Sequence, residues 1–363
     1  MKIAINAADL DHIRIDGTRI YIQNLLKNFG HLDKEDRFLI YHKNNFNPQL
    51  DFPVFDNYEI IKKPFLFWWT QTRFAWEIWR EKPDILWMPM HSLPFFRSKK
   101  TKTVVTIHDL AFKFFPDHFP KKDLRRLNFF TDYAVKNADK IIAISNSTKN
   151  DILNLYPKTK EEKIKVIYHG YDKSLFKPYV SKLEVQKVNS KFILFVGTIQ
   201  PRKNIKILLE AFAILKQEEK YKLLKLVIAG SSGWLSENII EKIKKTPDVI
   251  MTGKFETKNL PALLAGAEVF VLPSLYEGFG LPIIEAMACG TPVVAADNSS
   301  ISEIAGDSAL LFNPKNADNL AKILHDILEN EKLRNDLRKK GLERVKNFSW
   351  EKCARETLEW LKK

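Results

Sequence analysis

Strand-like and helical segments alternate along almost the whole chain, and this alternation constrains the fold more than any other feature. Short apolar runs such as Lys2–Asn6 and Phe192–Val196 have the composition of buried strands. Longer stretches with apolar residues at helical spacing, for example Gly17–Phe29, lie between such runs. This alternation is typical of a parallel sheet covered by helices. The sequence therefore predicts an α/β protein.

The remaining segments continue the alternation in two series. In the first series, strands are predicted at Phe38–Tyr41, Ile85–Met88, Thr103–Ile107, Lys140–Ile144 and Ile164–Ile167, and helices at Lys121–Asn137 and Ser145–Leu155. In the second series, strands are predicted at Leu224–Ala229, Val249–Met251, Glu268–Leu272 and Val293–Ala295, and helices at Asn204–Lys216, Ala317–Glu329, Lys332–Asn347 and Trp350–Leu361. Since a single hydrophobic core rarely extends over a chain of 363 residues, we expect two domains.

A polar, weakly periodic stretch, Ser174–Ser190, separates the two series and is predicted to be a linker. Residues 1–175 then form one Rossmann-like domain and residues 190–347 a second. We expect two doubly wound domains facing a central cleft, because ligands bind at the carboxyl ends of parallel strands. Ser349 is predicted to cap the last helix.

The net charge of +14 and the isoelectric point near 9.4 suggest an anionic partner. A phosphorylated substrate, an acidic membrane surface and a nucleic acid all remain open. Lys and Arg are spread along the chain without an aromatic stacking motif, which counts against the nucleic-acid alternative. The two cysteines fit a reducing compartment, and no signal peptide or membrane-spanning apolar run is evident. The expectation is a cytoplasmic protein, soluble or peripheral at the inner face of a membrane.

The strongest functional motif is PSLYEGFGLPIIEAMACGTP at Pro273–Pro292. It follows the predicted strand Glu268–Leu272 and places Glu277 and Glu285 around a turn that leads into a helix. A pair of carboxylates beside a helix N-terminus offers both acceptors and donors to a ligand. An ordinary pair of surface charges near a helix start is the alternative interpretation.

Three small or rigid residues shape this turn. Gly278 and Gly280 lack a Cβ atom, so their backbone can approach a ligand closely. Pro282 is predicted to occupy the first position of the helix, where a missing N–H costs nothing. The motif therefore indicates a binding site at the carboxyl edge of the second sheet.

A second candidate site, FILFVGTIQPRKN at Phe192–Asn204, ends a strand at Gly197 and brings Arg202 and Lys203 before a helix. Two cations and a helix N-terminus suit a diphosphate, although a solvated basic turn is the alternative. In the same half of the chain, Gly230 ends another predicted strand and is expected to line the cleft.

The first half of the chain carries its own candidates. His108 and Asp109 follow the strand Thr103–Ile107, where an imidazole can hydrogen-bond a sugar hydroxyl or transfer a proton. Gly17, preceded by Asp16, opens the first helix and can approach a phosphate or an acceptor. The Gly-x-Gly-x-x-Gly fingerprint of nicotinamide and flavin enzymes is missing there.

The stretch Phe65–Trp79 is dense in aromatic residues, with Arg73 among them and Arg80 directly after. One interpretation is a helix that packs its aromatics into the first core, which is the usual fate of such residues. The other is an interfacial surface that meets anionic lipid. The sequence favours the first interpretation and leaves the second open.

Several of these strings together resemble one family. EGFGLPIIE (Glu277–Glu285), PRKN (Pro201–Asn204), TIHDL (Thr106–Leu110) and the Asp16-Gly17 helix start are similar to motifs of the retaining nucleotide-sugar glycosyltransferases of the GT-B fold, family 4, also called group 1. The resemblance covers nearly the whole length. It implies that the last helix, 349–363, crosses back to the first domain. It also implies that the first domain binds the acceptor and the second the donor.

The resemblance further implies residue roles. Glu277 and the backbone around Gly278, Phe279, Gly280 and Leu281 would hold the donor sugar. Glu285 would bind the ribose, Arg202 and Lys203 the diphosphate, His108 the sugar near its reacting carbon, and Gly17 the phosphates or the acceptor, with Asp109, Gly197 and Gly230 also expected in the substrate site. Many relatives carry Gly-Gly or Gly-Ile-Gly at the first helix, where this chain has Asp16-Gly17-Thr18-Arg19, so we expect the acceptor side to differ in detail.

No cofactor or metal is expected, because cations already serve the leaving diphosphate and no Asp-x-Asp pair or His cluster stands out. IHDLAF and ISNSTKNDI (Ile144–Ile152) resemble mannosyltransferases that extend bacterial surface polysaccharide. That similarity implies GDP-mannose as the donor and a glycan or lipid-linked glycan as the acceptor. A UDP- or ADP-sugar donor, a sugar phosphorylase and an epimerase remain alternatives.

Overall fold

The structure is a computed structural model, and it describes residues 1–178, 190–253 and 256–363. Most of the predicted linker Ser174–Ser190 lies outside these described residues. The chain divides into two compact units. The N-terminal unit comprises Met1–Leu110, Lys122–Gly170 and Ser349–Lys363, and the C-terminal unit comprises Ala111–Lys121 and Tyr171–Phe348. The short segment Ala111–Lys121 thus clusters with the C-terminal unit, although it falls inside the predicted domain 1–175.

The strands are β1 (Lys2–Asn6), β2 (Arg37–His42), β3 (Tyr58–Lys62), β4 (Ile85–Met88), β5 (Lys102–Ile107), β6 (Lys140–Ala143), β7 (Ile164–Val166), β8 (Phe192–Val196), β9 (Lys225–Ala229), β10 (Val249–Gly253), β11 (Val269–Leu272), β12 (Val293–Ala296) and β13 (Leu310–Phe312). The helices are α1 (Gly17–Leu32), α2 (Arg73–Glu81), α3 (Ala111–Phe114), α4 (Lys121–Asn137), α5 (Asn146–Leu155), α6 (Ile205–Leu215), α7 (Glu237–Lys245), α8 (Leu260–Gly266), α9 (Leu281–Ala288), α10 (Ser299–Ala305), α11 (Ala317–Glu329), α12 (Glu331–Arg344) and α13 (Trp350–Lys362).

The N-terminal unit is built on a seven-stranded parallel sheet in the order β3-β2-β1-β4-β5-β6-β7. Its central strands are buried on both faces, and Ile3, Ala4 and Ile5 expose no surface. Burial on both faces explains why these strands are continuous apolar runs instead of alternating patterns. The chain leaves β1 in one direction across the sheet and β4 in the other, so the topological switch point lies between β1 and β4.

The last helix, α13, packs on α1 and β4 of the N-terminal unit. Ser349 caps α13, as predicted, by accepting a hydrogen bond from the Lys352 N–H. Gly170 lies against the start of the same helix, and a Cβ atom there would stand 2.0 Å from the Trp350 nitrogen. A residue without a side chain is therefore required where the chain meets α13.

The C-terminal unit contains a six-stranded parallel sheet in the order β10-β9-β8-β11-β12-β13. Every residue of β8, β11 and β12 is buried. The strand order reverses between β8 and β11, because β9 and β10 lie on one side of β8 and β11 on the other. Ligands of doubly wound sheets bind at this kind of reversal. Both units are Rossmann-like, which confirms the predicted α/β fold class.

The sequence analysis did not predict some of the strands and helices. The edge strand β3 is partly exposed, and its sequence Tyr-Glu-Ile-Ile-Lys neither alternates strictly nor forms a long apolar run, so its signal is weak. The short strand β13 and the short helices α8 and α10 have three to seven residues, which is too little for a clear periodicity. Helix α9 begins at Leu281, one residue before the predicted Pro282.

The aromatic stretch also differs from its prediction. Helix α2 begins only at Arg73, so Phe65 and Trp69 precede it and share no helical face with the later tryptophans. Trp69 and Phe74 are buried, but Trp76 and Trp79 expose more than two fifths of their surface. The favoured core interpretation is therefore wrong for Trp76 and Trp79. Among the described residues, no helix combines the length and apolar character needed to cross a membrane.

Candidate functional site

Three of the predicted site residues meet at the carboxyl edge of the C-terminal sheet. Arg202 and Lys203 lie in a 3-10 turn after β8, and Glu277 lies in the loop after β11. Lys203 Nζ is 2.5 Å from Glu277 Oε1, and Arg202 Nη1 is 3.3 Å from Oε2. The cluster thus lies at the reversal of strand order between β8 and β11.

Glu277 is buried, the side chains of Arg202 and Lys203 are each 12% exposed, and the three charges sum to one positive charge. Burial alone raises the pKa of the Glu277 carboxyl, but the charges of Lys203 and Arg202 outweigh this effect and lower the pKa to about 2. Glu277 is therefore ionised at neutral pH. One carboxylate faces two cations, so the site can accept a further anion.

Hydrogen bonds to backbone carbonyls hold the loops of the site in place. The Leu275 N–H donates to the Arg202 carbonyl at 2.9 Å, and the Arg202 guanidinium donates back to the Tyr276 carbonyl. Asn204, the residue before α6, is in a left-handed conformation with φ of 53° and donates from its side-chain amide to the Pro314 carbonyl at 2.9 Å. Backbone strain of this kind concentrates at functional sites.

Residues after β12 support Glu277 from the other side, and none of them was predicted. The Glu277 N–H donates to Ser299 Oγ at 2.9 Å, and Ser300 Oγ donates to the Glu277 carbonyl at 2.9 Å. Asn298 Nδ2 donates to the Ser274 carbonyl at 3.0 Å. The available signal was a polar run, Asp297–Ser300, directly after a buried strand.

The predicted turn after Glu277 leads into α9. Gly280 is the residue before α9, and its φ of 92° is one that side chains disfavour. Gly278 does not adopt a left-handed φ. The Phe279 side chain is buried against Phe348 at a ring distance of 5.8 Å, so only its backbone faces the turn. Leu281 is the first residue of α9 and is half-buried.

Glu285 lies one turn into α9. Desolvation raises the pKa of Glu285 to about 7, whereas Glu277 has its pKa lowered by cations. Desolvation thus favours the protonated form of Glu285. Two carboxylates eight positions apart occupy opposite electrostatic environments, which is frequent at functional sites.

Gly197 and Gly230 end the neighbouring strands β8 and β9. Both have φ of 153°. A Cβ atom on Gly230 would stand 2.0 Å from the Gly197 carbonyl oxygen. The two strand ends approach each other so closely that no larger residue fits at position 230.

In the N-terminal unit, His108 is held at the end of β5 by two contacts. Its backbone N–H donates to His91 Nε2 at 2.7 Å, and its Nε2 lies 2.8 Å from the Pro89 carbonyl oxygen. A carbonyl can only accept, so Nε2 carries the proton. Burial lowers the pKa of His108 and lowers that of His91 to about 4. His108 is therefore neutral, with Nδ1 as an acceptor.

Aromatic residues of α1, of β4 and of the chain after β7 surround this histidine. Tyr21 contacts His108 edge-on at a ring distance of 5.1 Å and stacks on His169 at 4.7 Å. The Trp87 indole donates to Thr106 Oγ1 at 3.1 Å on the strand that leads to His108. These contacts position the imidazole, and sequence reasoning did not identify them.

Asp16 and Asp109 lie near His108, and their charges raise its pKa against the larger effect of burial. Asp16 caps α1 by accepting from the Arg19 N–H at 3.4 Å, a role that the sequence analysis did not assign to it. The start of α1 and the end of β5 thus lie together in the N-terminal unit. Among the described residues, no group of three or more His, Cys, Asp or Glu side chains is arranged to hold a metal ion.

Two family models divide the chain between them. The model for glycosyltransferase family 4 matches residues 17–175, and the model for glycosyl transferases group 1 matches residues 181–344. O-antigen chain mannosyltransferase B of Escherichia coli is 30% identical over 295 residues, which cover 79% of this chain and 76% of that protein. The chain belongs to the group 1 glycosyltransferases.

A second relative matches part of this group 1 glycosyltransferase, and a solved structure aligns with all of it. MMP alpha-(1->4)-mannosyltransferase of Mycolicibacterium hassiacum is 32% identical over 222 residues, covering 60% of this chain and 52% of that protein. The crystal structure of HepE from Anabaena, in complex with UDP and glucose, aligns over 100% of this chain and 99% of that one, with a TM-score of 0.76 and 19% identity. This likeness shows a shared GT-B fold.

The group 1 glycosyltransferase also has a segment that the sequence did not assign to the site. Within the C-terminal unit, Phe114 stacks on Tyr276 at a ring distance of 5.7 Å, next to Glu277. The Trp234 indole donates to the His118 carbonyl at 2.7 Å. Burial lowers the pKa of His118, and the Arg202 charge lowers it further. Ala111–Lys121 therefore borders the loops that carry Arg202 and Glu277.

Proposed function

We propose that this group 1 glycosyltransferase is a retaining enzyme that transfers mannose from GDP-mannose to a glycan or lipid-linked glycan during surface polysaccharide synthesis. The observation that carries the proposal is the buried meeting of Lys203, Arg202 and Glu277 at the reversal of strand order. That arrangement suits a nucleotide-sugar, whose diphosphate needs cations and whose sugar needs hydroxyl acceptors.

In the proposed mechanism, Lys203 and Arg202 stabilise the diphosphate as it leaves. Glycosyl transfer builds negative charge on that group, and cations fixed in a buried site stabilise such charge more strongly than water does. No metal ion is required for this role, because the two side chains supply the charge. Glu277, kept ionised, would accept hydrogen bonds from hydroxyls of the donor sugar.

Glu285 is proposed to bind the ribose, because its ionised carboxylate can accept hydrogen bonds from two hydroxyl groups at once. The backbone from Gly278 to Leu281 would contact the donor sugar. His108, with Nδ1 as an acceptor, would contact a sugar hydroxyl near the reacting carbon. Retention would follow from attack on the same face that the diphosphate leaves, with the leaving phosphate taking the acceptor proton.

Support for mannose comes from the relatives, because two of the proteins that resemble this chain are named as mannosyltransferases. A UDP-hexose is the second candidate donor, since HepE was solved with UDP and glucose. The two free, buried cysteines fit the reducing cytoplasm, where nucleotide-sugars are used. We therefore also propose a cytoplasmic location.

Calorimetric titration with GDP, UDP and ADP tests the donor. Tighter binding of GDP than of UDP and ADP is expected, followed by release of GDP from GDP-mannose when a glycan acceptor is present. Tighter binding of UDP would replace mannose by a UDP-hexose, and binding of none of the three would overturn the nucleotide site. The anomeric configuration of the product, read by proton NMR, tests retention.

A further inference from the structure

An exposed aromatic surface covers part of the N-terminal unit, and the proposed transfer reaction does not use it. Three successive residues before α2 are exposed to an unusual degree, namely Leu66 at 84%, Phe67 at 73% and Trp68 at 69%. Large apolar side chains that cluster on a surface usually mark an interaction site. We call the set Phe65–Trp68, Trp76, Trp79, Phe95, Phe96 and Phe129 the aromatic surface.

Ring contacts join this surface across four segments of the chain. Trp68 meets Phe130 at 6.2 Å, and Phe95 meets Phe129 at 5.8 Å and Phe130 at 6.0 Å. Trp79 lies 5.5 Å from Phe96. The aromatic surface is therefore continuous and not a scatter of single exposed residues.

An ionic network around the buried Glu77 fixes the side of α2 that faces outward. Glu77 is 1% exposed and binds Arg73 and Arg80, each at 2.6 Å. Both guanidinium groups lie over the Trp76 ring, at 5.3 and 4.6 Å from its centre. The charged residue Glu77 thus points inward, while Trp76 is held outward between two cations.

Basic residues surround the aromatic surface. Residues 65–80, 93–100 and 122–130 contain eight Lys or Arg and only two acidic residues, one of which is the buried Glu77. On α4, Lys122, Arg125 and Arg126 are exposed and lie seven, four and three positions before Phe129. This spacing places them on the same helix face as Phe129.

We propose that the aromatic surface and its basic border dock on an anionic phospholipid bilayer. Trp and Phe side chains favour the boundary between head groups and acyl chains, and Lys and Arg are attracted to anionic head groups. The excess of basic residues favours a lipid surface over a second copy of this chain, which would bring like charges together. This inference does not depend on the sugar that is transferred.

Co-sedimentation of the full chain with vesicles tests the proposal. Binding is expected to vesicles of equimolar phosphatidylcholine and phosphatidylglycerol, and much weaker binding to phosphatidylcholine alone. Raising the salt concentration should release the protein, because exposed charges are screened within about 10 Å at 0.1 M salt. Equal binding to both vesicle types, or binding to neither, overturns the proposal.

An aromatic variant tests the apolar contribution. Leu66→Ser with Phe67→Ser should lower vesicle binding at least ten-fold, since each buried CH₂ adds about 0.8 kcal/mol of membrane affinity, or about four-fold. The matched control is Val54→Ser with Leu223→Ser, which removes two equally exposed apolar residues elsewhere and should bind normally. Circular dichroism checks that both variants are folded. An equal loss in both variants contradicts the assignment.

A charge variant tests the basic border. Each Lys or Arg near an anionic surface raises the membrane-binding constant about five-fold, so removing three should lower it about a hundred-fold. Light scattering of the unmodified protein and of both sets of variants tests for a dimer. If the unmodified protein is a dimer and the variants are monomers, the aromatic surface is a self-association interface and the proposal is overturned. The charge variant is Lys122→Gln, Arg125→Gln and Arg126→Gln, and its control on the C-terminal unit is Lys242→Gln, Lys244→Gln and Lys339→Gln. A fall in binding no larger than that of this control contradicts the proposal.

Discussion

Lys203 and Glu277 form an ion pair of 2.5 Å although 74 positions separate them in the chain. Lys203 follows β8 and Glu277 follows β11, and the two strands are neighbours in the sheet. The pair therefore depends on the parallel topology, which brings the ends of both strands to one edge. It also brings a cation to the place where doubly wound sheets bind ligands.

Lys203→Gln should weaken binding of a nucleoside diphosphate about ten- to a hundred-fold, because a charge-assisted hydrogen bond contributes about 1.5–3 kcal/mol. Binding of the nucleoside without phosphates should hardly change. Isothermal titration of GDP and guanosine measures both. Lys206→Gln, on the exposed face of α6, is the matched control. An equal loss for guanosine would show that Lys203 supports the fold of the site and not the diphosphate.

Glu277→Gln should destabilise the ligand-free protein by about 3–5 kcal/mol, since it leaves two cations that are only 12% exposed without their carboxylate. Glycosyl transfer should be lost. A bound diphosphate would replace the missing negative charge, so GDP should raise the melting temperature more in the variant than in the unmodified protein. Differential scanning calorimetry with and without GDP measures this. A smaller shift in the variant would argue against a diphosphate beside Arg202 and Lys203.

The acid stability of the protein should report the same ion pairs. Cations lower the pKa of Glu277 from 4.5 to about 2, after burial is overcome, so its ionised form stabilises the folded state above pH 4.5. That stabilisation is lost as the pH falls from 4.5 towards 2. Acid unfolding of Glu277→Gln should consequently depend less on pH across this window, which circular dichroism can follow.

The fold could be predicted from the sequence because buried parallel strands are continuous apolar runs. Phe192–Val196 and Lys2–Asn6 were predicted with the bounds that the structure has. The same logic placed Arg202, Lys203 and Glu277 at strand ends, and the structure brings these three together. Their roles in transfer remain predictions.

Other features could not be predicted, for physical reasons. Ser299 and Ser300 support Glu277 through its backbone groups, and backbone contacts leave little trace in the identity of side chains. Helix α2 departs from the rule that apolar residues face inward, because Trp76 and Trp79 are exposed while Glu77 is buried and paired with Arg73 and Arg80. Periodicity alone shows that a helix has two faces but not which one an ionic network will bury.

His108→Gln and His108→Asn together should distinguish the two nitrogens of the imidazole. Gln keeps a donor at the Nε2 position for the Pro89 carbonyl but lacks an acceptor at Nδ1, whereas Asn keeps an acceptor near Nδ1. If Nδ1 accepts from the donor sugar, the Gln variant should lose about ten- to a hundred-fold in kcat/KM, and the Asn variant less.

The pH profile of kcat adds a further check on His108. Burial lowers the pKa of His108 below 6.5. The pH dependence of kcat, measured at a saturating concentration of the sugar donor, should therefore show no inflection near pH 6.5. An inflection there that the Gln variant abolishes would show that His108 is protonated in the working enzyme. Steady-state rates between pH 5.5 and 8.5, roughly the range where histidine titrates, provide the measurement.

Glu285→Gln should stabilise the ligand-free protein at alkaline pH and weaken nucleotide binding at the same time. Desolvation raises the pKa of Glu285 from 4.5 to about 7, so its protonated form is the one that the fold favours. Its contribution to stability is fully present below pH 4.5 and is lost as the pH rises through 7. At pH 8, roughly one unit above that pKa, the neutral Gln should raise the free energy of unfolding by up to roughly 3 kcal/mol.

Nucleotide affinity should rise with pH, whereas the stability contributed by Glu285 falls, because the ribose hydroxyls donate hydrogen bonds to the ionised carboxylate. Nucleotide affinity of the unmodified protein should fall as the pH drops through about 7, and Glu285→Gln should bind weakly without that step. Titration of the phosphates is common to both proteins, so the difference between their profiles isolates Glu285. Asp336→Asn, on the exposed face of α12, controls for the loss of a charge. A variant that gains stability but keeps full nucleotide affinity would remove Glu285 from the ribose site.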